Sequence, residues 1–443
     1  MNRRDFMKHT VLTGAAAAVS AAPGRASASI PAGDPVTLGV IGAGARAQQL
    51  IDAAQQIPGL DIVALCDAYT GRATRAQARA GGKAVIVKDA RELLARPGID
   101  AILVGTPDHL HKAITVAALD AGKDVYVEKP MTYTVEEGLE IIAAVKRNKR
   151  VLQVGSQGVS SPLDGTARDL VKSGKLGKVT MIRASYNRNT AGGAWIYPIP
   201  PDATPQTVNW DAFLGDAPQR PFDAARFFRW RCYWDYSGGI AGDLFVHLLT
   251  TIHFVMGATM PSTVLASGEL YRWKDSREVP DTLNGLLVYP EGFTVNLSST
   301  FNNQSASESG FEILGTEGSI VFRGDRLTFT PENVHEDNRW VVTSWPRELE
   351  EAYYADPKVQ AQETPESWKP GMLPGGESWE QQGQGNDVTH LANFVAAVRS
   401  RQQPYEDAIV GHHAAAAAHM VNMSLRQRRL IEWDFAADRV KST

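Results

Sequence analysis

The sequence predicts an α/β protein in two parts: an N-terminal doubly wound parallel sheet, then an α+β unit with a large, mostly antiparallel open sheet. Three observations lead there. Short apolar runs alternate with helical stretches between residues 36 and 156. The first of these runs stops at a glycine-rich turn, and beyond residue 178 strand-like runs follow one another without helices between them. Alternating strands and helices call for a parallel sheet covered on both faces, whereas consecutive strands pair antiparallel.

Taken in order, apolar runs at 36–41, 62–65, 84–87, 101–104, 125–127 and 151–154 predict six strands. Helical patterns fill the gaps, from the turn to about 57 and then at 71–80, 90–95, 110–121 and 135–148. The turn itself reads Gly42-Ala43-Gly44-Ala45-Arg46-Ala47 and fits the Rossmann fingerprint G-x-G-x-x-A. Gly42 permits the tight turn, Gly44 lets backbone approach a diphosphate, and Ala47 lets helix and strand pack closely. Ala45 and Arg46 open the helix, whose unpaired N–H groups and positive dipole end suit an anion. Asp67 ends the second strand, 23 residues beyond Gly44. An acid there accepts from both ribose hydroxyls and repels a 2'-phosphate, so NAD is expected over NADP. Arg72 and Arg75 stand near enough to receive a phosphate, and an Asp before Tyr69 and Thr70 also suits a simple turn.

In the second part, runs at 178–186, 262–271, 282–289, 293–300, 310–315 and 318–323 predict the open sheet. One face should cover the cofactor crevice and the other is available for self-association, so a homo-oligomer is expected. Residues 347–387, rich in Pro, Gly, Gln and Glu, read as an irregular excursion.

Residues 1–28 stand apart from the fold. A basic start, an apolar stretch of about 12 small residues and the Ala26-Ser27-Ala28 ending follow the order of a secretory signal. The apolar stretch is well short of the ~20 residues that span a bilayer, so no stable membrane insertion is expected. Arg3 and Arg4, followed by Asp5, Phe6, Met7 and Lys8, resemble the twin-arginine export motif, which implies a periplasmic or extracellular protein exported already folded. The whole chain has 443 residues, 43% hydrophobic and 21% charged, which excludes collagen-like, disordered and disulfide-scaffold classes. Loss of the leader moves the net charge from -4 to about -7, leaving no basic field for a nucleic acid. Cys66 and Cys232 are too few for a disulfide framework or a thiolate metal site, and no metal is expected.

The fourth strand ends in Thr106-Pro107-Asp108-His109-Leu110-His111 and the fifth in Glu128-Lys129-Pro130. Farther on, a Trp234-Asp235-Tyr236-Ser237-Gly238-Gly239 segment leads to Asp243 and His247, a D-x-x-x-H spacing that puts both on one face of a helix. With the glycine turn, these motifs resemble the glucose-fructose oxidoreductase, inositol dehydrogenase and rhizopine catabolism family, Gfo/Idh/MocA. The resemblance covers about 36–435, including helices near 389–401 and 411–429 and a last strand at 432–434. It implies a cofactor domain at 36–156 and a substrate and oligomerisation domain at 157–435. It also implies a catalytic set of Lys129, Asp243 and His247, with Thr106, Pro107, His111, Glu128 and Lys129 beside the cofactor.

A carbinol carbon gives up hydride only if its O–H proton leaves. His247, with an ordinary pKa of ~6.5, is suited to take that proton. Lys129 would hold the developing oxyanion, and Asp243 would orient the hydroxyl and balance the positive charges. Gln157, Arg188, Trp195, Arg231 and Trp234 are candidate substrate contacts, the rings suiting the C–H faces of a pyranose. His253, six residues after His247, falls on another helical face and reads as packing. The expected function is hydride transfer between a carbohydrate or polyol hydroxyl carbon and tightly bound NAD. Two alternatives stand beside it. One is an NAD-dependent glycosidase or lyase that oxidises its sugar transiently; relatives of that kind lack the EKP lysine and carry a Tyr-x-x-His pattern. The other is a noncatalytic cofactor-bound sensor, against which the intact triad argues.

Overall fold

A computed structural model describes residues 33–303, 310–332, 338–362, 376–381 and 386–442; the leader at 1–28 lies outside them. The first unit alternates as the sequence predicts: β1 (Val36–Ile41), α1 (Ala45–Ala54), β2 (Leu60–Cys66), α2 (Thr70–Arg79), β3 (Val85–Ile86), α3 (Ala90–Ala95), β4 (Ala101–Val104), α4 (His111–Asp120), β5 (Asp124–Glu128), α5 (Glu136–Asn148) and β6 (Leu152–Gly155). All six strands are parallel, in the order β3-β2-β1-β4-β5-β6. Every residue of β4 and β5 is buried, because helices cover both faces; this is why their sequences do not alternate with polar residues. The winding reverses between β1 and β4, and the crevice opens there, outside the carboxyl ends of the strands.

The chain then continues through α6 (Pro162–Lys172), β7 (Val179–Ser185), α7 (Trp210–Leu214), α8 (Ala224–Phe228), α9 (Val246–Met256), β8 (Thr263–Glu269), β9 (Thr282–Tyr289), β10 (Phe293–Thr300), β11 (Phe311–Gly315), β12 (Gly318–Arg323) and β13 (Arg326–Pro331). It closes with α10 (Arg339–Val342), α11 (Arg347–Ala355), α12 (Pro357–Gln362), β14 (Glu377–Glu380), α13 (Asn386–Ser400), α14 (Ala408–Gln427), β15 (Ile431–Asp434) and β16 (Arg439–Val440). Ten strands form one sheet, ordered β14-β13-β12-β11-β7-β10-β9-β8-β15-β16, antiparallel except where β7 meets β10. Along β9 the period of two is clear: Leu283, Leu287 and Tyr289 are buried in the core while Leu286 and Val288 face out. α14 crosses that core with alanine at each position of 414–418, small side chains that let it lie against sheet and α9 together.

One expectation needs correction. The stretch 347–387, read as irregular, contains α11, α12 and β14 among its described residues. α11 buries none of its residues, so no contribution to the core marks it as an element. The chain leaves the first sheet near 156, and a later helix adds to that sheet's core. Val388, Leu391, Phe394, Val395 and Val398 of α13 return to pack with β1 and α1. His253 is packed as expected, its Nε2 lying 2.9 Å from the Tyr289 hydroxyl. Cys66 and Cys232 are free and buried.

Candidate active site

The glycine turn forms one wall of a cleft of about 960 Å³. Gly42 has φ +85°, and a Cβ there would lie 2.6 Å from the Thr106 backbone nitrogen, so only glycine fits. Gly44 is the opposite case: a Cβ would meet nothing within 4 Å, because the position faces the open cleft. The first turn of α1 has neither a side-chain cap nor an acid, which leaves its N–H groups and positive end for a ligand. Ala47 is buried, 3.0 Å from where a Cβ on Gly105 would stand. Thr106, Pro107, Ala45, Asp67, Glu128 and Lys129 line the same cleft, and the Thr106 hydroxyl is buried without a partner among the described residues. A glycine cradle, an uncapped helix start and an orphaned hydroxyl fit the diphosphate and ribose of NAD.

Asp67 serves both readings of it. Its carboxylate accepts from the Ala43 N–H at 2.6 Å and the Tyr69 N–H at 2.7 Å, which shapes the turn, and it also borders the cleft. Each oxygen keeps a further lone pair for a ribose hydroxyl. Burial raises its pKa, with Arg72 opposing. Arg72 lies over the Phe228 ring at 5.0 Å, and Arg75 is not among the residues lining the cleft.

Of two further residues assigned to the cofactor, Arg46 lines the cleft while its side chain has protein partners, and His111 does not line it. Arg46 donates from Nε to Glu128 at 2.9 Å and through both Nη atoms to Asp387 at 2.8 Å. Its guanidinium therefore ties α1 to β5 and α13. The buried His111 ring has its nitrogens 2.7 Å from the Pro130 carbonyl oxygen and 2.9 Å from that of Thr106. It joins the two motif loops rather than facing the cleft.

At the other end of the cleft the structure brings Lys129, Asp243 and His247 together. Lys129 Nζ donates to the Asp243 carbonyl oxygen at 2.8 Å and to its Oδ1 at 2.9 Å. Arg231 Nε donates to the same Oδ1 at 2.9 Å. Burial alone would raise the Asp243 pKa, but Lys129 and Arg231 hold it far below the usual carboxylate range. His247 is pushed down to about 3 by desolvation, with Lys129 adding to the effect, so its ring is neutral. That ring stacks on Tyr186 at 5.9 Å, and no hydrogen bond engages it among the described residues. The α-helical D-x-x-x-H geometry is corrected: Ala241–Phe245 forms a π-helical turn, and α9 begins only at Val246. Such turns interrupt α-helices at functional sites, and this one carries Asp243.

Of the substrate candidates, Gln157, Arg188 and Arg231 line the cleft. Trp195 and Trp234 do not. Trp195 is 2% exposed in the second core, edge-on to Phe301 at 4.9 Å. Trp234 packs at the edge of that core with Arg426 over its ring, while its carbonyl accepts from the Tyr133 hydroxyl. Apolar demand from the core took these rings. The cleft's aromatics are Tyr186, Tyr197, Phe213, Phe227, Phe228 and Trp230, and Asp108 also borders it. Tyr186 was legible, since it stands two residues before Arg188 on an extended chain and shares its face. Phe227 and Phe228 offered no such signal.

A Rossmann cleft that ends on a lysine, an aspartate and a neutral histidine defines an NAD-binding oxidoreductase. Comparison with known proteins gives the same class: a model described as an oxidoreductase family with an NAD-binding Rossmann fold matches residues 36–156, and the GFO/IDH/MocA C-terminal domain matches 212–321. The chain belongs to the Gfo/Idh/MocA family. It is 27% identical over 285 residues to the 1,5-anhydro-D-fructose reductase of Ensifer adhaerens, covering 64% of this chain and 75% of that protein. It is 25% identical over 253 residues to the levoglucosan dehydrogenase of Pseudarthrobacter phenanthrenivorans, covering 54% and 59%. A solved levoglucosan dehydrogenase in complex with NADH and levoglucosan shares the fold, with a TM-score of 0.66, 20% identity and coverage of 90% of this chain and 99% of that one.

Proposed function

We propose that the chain is an exported enzyme that moves hydride between a hydroxyl-bearing carbon of a sugar, polyol or glycoside and a tightly held NAD. The observation that carries this reading is the meeting of Lys129, Asp243 and His247 in the cleft whose other end is the glycine cradle. Relatives named as a reductase and a dehydrogenase of small sugars support the substrate class. Bound NAD supplies the hydride acceptor. The neutral His247 ring accepts the hydroxyl proton as the C–O bond gains carbonyl character, and returns it in the reverse direction. Lys129 spends two N–H bonds on Asp243, which leaves its third for the substrate oxygen as negative charge develops. Asp243, pinned by Lys129 and Arg231, fixes where that third bond points.

The test is to add sugars and glycosides singly to purified protein and follow the near-ultraviolet absorbance of reduced nicotinamide, then its loss with a second sugar. His247→Ala should lower turnover by ~10²- to 10⁴-fold and leave nucleotide binding intact; unchanged turnover would remove His247 from the mechanism. Aglycone release without net reduction would redirect the reading to transient oxidation and elimination. Export rests on the order of basic, apolar and Ala-x-Ala regions in 1–28. Replacing Arg3 and Arg4 by Lys should hold the protein inside the cell. Self-association rests on the outer sheet face, where Leu265 and Leu286 are 47% and 44% exposed; light scattering should show more than one copy.

A further inference from the structure

The reactive end of the cleft holds more positive charge than it balances, because Lys129, Arg231 and Arg188 all surround the single carboxylate of Asp243. Asp243 Oδ1 takes both Lys129 and Arg231, whereas Oδ2 has only Arg188, with Nη1 at 4.0 Å, beyond hydrogen-bond length. No other carboxylate comes within that distance of Arg188 among the described residues. The Arg188 side chain is 42% exposed, and no hydrogen bond occupies its guanidinium among the described residues. Asp108, the other acid here, is 2% exposed and accepts from the Gly238 N–H at 3.2 Å. Burial raises its pKa, with His111 and Arg231 opposing, and its carboxylate is turned to the Gly238 backbone rather than to Arg188.

Arg188 is nevertheless held in place at its base. The chain leaving β7 is stitched to β10: Tyr186 N–H donates to the Ser298 carbonyl at 3.1 Å, Thr300 N–H to Asn187 Oδ1 at 3.0 Å, and Arg188 N–H to the Thr300 carbonyl at 3.3 Å. Tyr186, two residues away on the same extended chain, stacks on His247. A fixed backbone therefore presents a free guanidinium beside the catalytic histidine. Gln157 Oε1, buried and without a partner among the described residues, adds an acceptor for a hydroxyl.

Building on the oxidoreductase reading, we propose that the substrate is an acidic sugar of the uronic type, whose carboxylate is received by Arg188. The planar fork of one guanidinium matches a planar carboxylate in a bidentate pair. A phosphate dianion would call for a second free cation, and Lys129 and Arg231 are already committed to Asp243.

The experiment compares matched probes on the NAD-loaded protein: glucose with glucuronate, galactose with galacturonate, and glucose 6-sulfate and glucose 6-phosphate as other anions. The uronate should exceed its neutral partner in kcat/KM by ~10- to 100-fold, chiefly through KM, the range of one charge-assisted hydrogen bond. Arg188→Gln should collapse that ratio to about one, and Arg188→Lys, which keeps the charge but loses the fork, should retain part of it. Calorimetric titration of glucuronate and glucose into wild type and Arg188→Gln reads the same preference without turnover. A wild-type preference for neutral sugars, or a ratio untouched by Arg188→Gln, overturns the proposal while leaving the oxidoreductase reading intact. A preference for the sulfate or phosphate ester overturns the carboxylate assignment. Arg188-dependent binding of glucuronate with no sugar oxidised would instead fail the oxidoreductase reading alone.

Discussion

Lys129 Nζ lies 2.9 Å from Asp243 Oδ1 and 2.8 Å from the Asp243 carbonyl oxygen, so the lysine of one unit is held by side chain and backbone of the other. The two residues should fail differently when removed. Lys129→Met leaves Asp243 paired with Arg231, and the expected loss is kinetic, ~10²- to 10³-fold in kcat for one missing oxyanion donor. Asp243→Ala leaves Lys129 and Arg231 facing each other, with the Lys129 side chain 10% exposed. Stability should fall by about 3–5 kcal/mol, the usual consequence of leaving a buried charge unpaired. Chemical denaturation and steady-state rates on both variants check the contrast. Equal loss of stability in the two would show that the pair acts as one structural unit.

The depressed pKa of His247 sets a pH profile. Desolvation first, and Lys129 second, bring the ring to about 3. In the free protein the ring is therefore already a neutral base throughout the range where an ordinary histidine titrates. Oxidation measured as kcat/KM should stay level as pH falls through ~6.5 and decline only near the lower value. Lys129→Met removes a nearby cation, so the acid limb should move upward in pH. Fold stability follows the same sign: the neutral form is favoured by the folded site, a contribution present above ~6.5 and lost as pH falls towards the folded value. A wild-type inflection near ~6.5 that vanishes in His247→Gln would contradict this environment for the ring.

Glycine at 42 and at 44 answers to different demands, and substitution should separate them. Alanine at Gly42 meets the Thr106 backbone at 2.6 Å with φ +85°, so Gly42→Ala should cost about 2–4 kcal/mol from the clash and the left-handed conformation together. At Gly44 a Cβ meets no protein atom within 4 Å, and the position opens onto the cleft into which valine's methyls would extend. With nucleotide removed from both samples, Gly44→Val should unfold within about 0.5 kcal/mol of wild type. The same variant should copurify with little nicotinamide nucleotide, measured by release on denaturation. Full nucleotide retention in Gly44→Val would move the diphosphate away from the turn.

The first sheet was legible because its signals are local. An apolar run, a glycine turn and a helical stretch sit within one βαβ unit, and β1 and α3 end where the periodicity ends. The catalytic set was legible through motif order, although spacing alone gave an α-helix where a π-helical turn stands. Arg46 shows the limit. The side-chain partner Asp387 lies 341 residues along the chain, and nothing local announces that pairing. Trp195 and Trp234 show it again, since a ring suits a sugar face and a protein core equally well. Arg188 was named from its segment alone; that its charge stands unbalanced is visible only once Lys129 and Arg231 are seen to share Asp243.

Glu406 predicts how stability responds to alkali. Its side chain is 1% exposed where the chain enters α14, and its backbone carbonyl accepts from Val154 at the end of the first sheet. Burial pushes its pKa up to about 8, with Asp407 adding to the rise. The unfolded chain ionises this carboxyl near ~4.3, so between that value and the folded one the folded state holds a proton that the unfolded state has lost. Stability from this group is complete at low pH and declines as pH rises through the window. Glu406→Gln keeps the shape and cannot ionise. Its advantage in Tm over wild type should therefore be small near pH ~5 and grow towards pH ~8. Asp164, buried and raised to about 7, gives the wild type a second slope of the same sign that Glu406→Gln leaves in place. Thermal melts of both proteins at stepped pH separate the two contributions, and a difference that stays constant with pH would show that Glu406 is ionised in the fold.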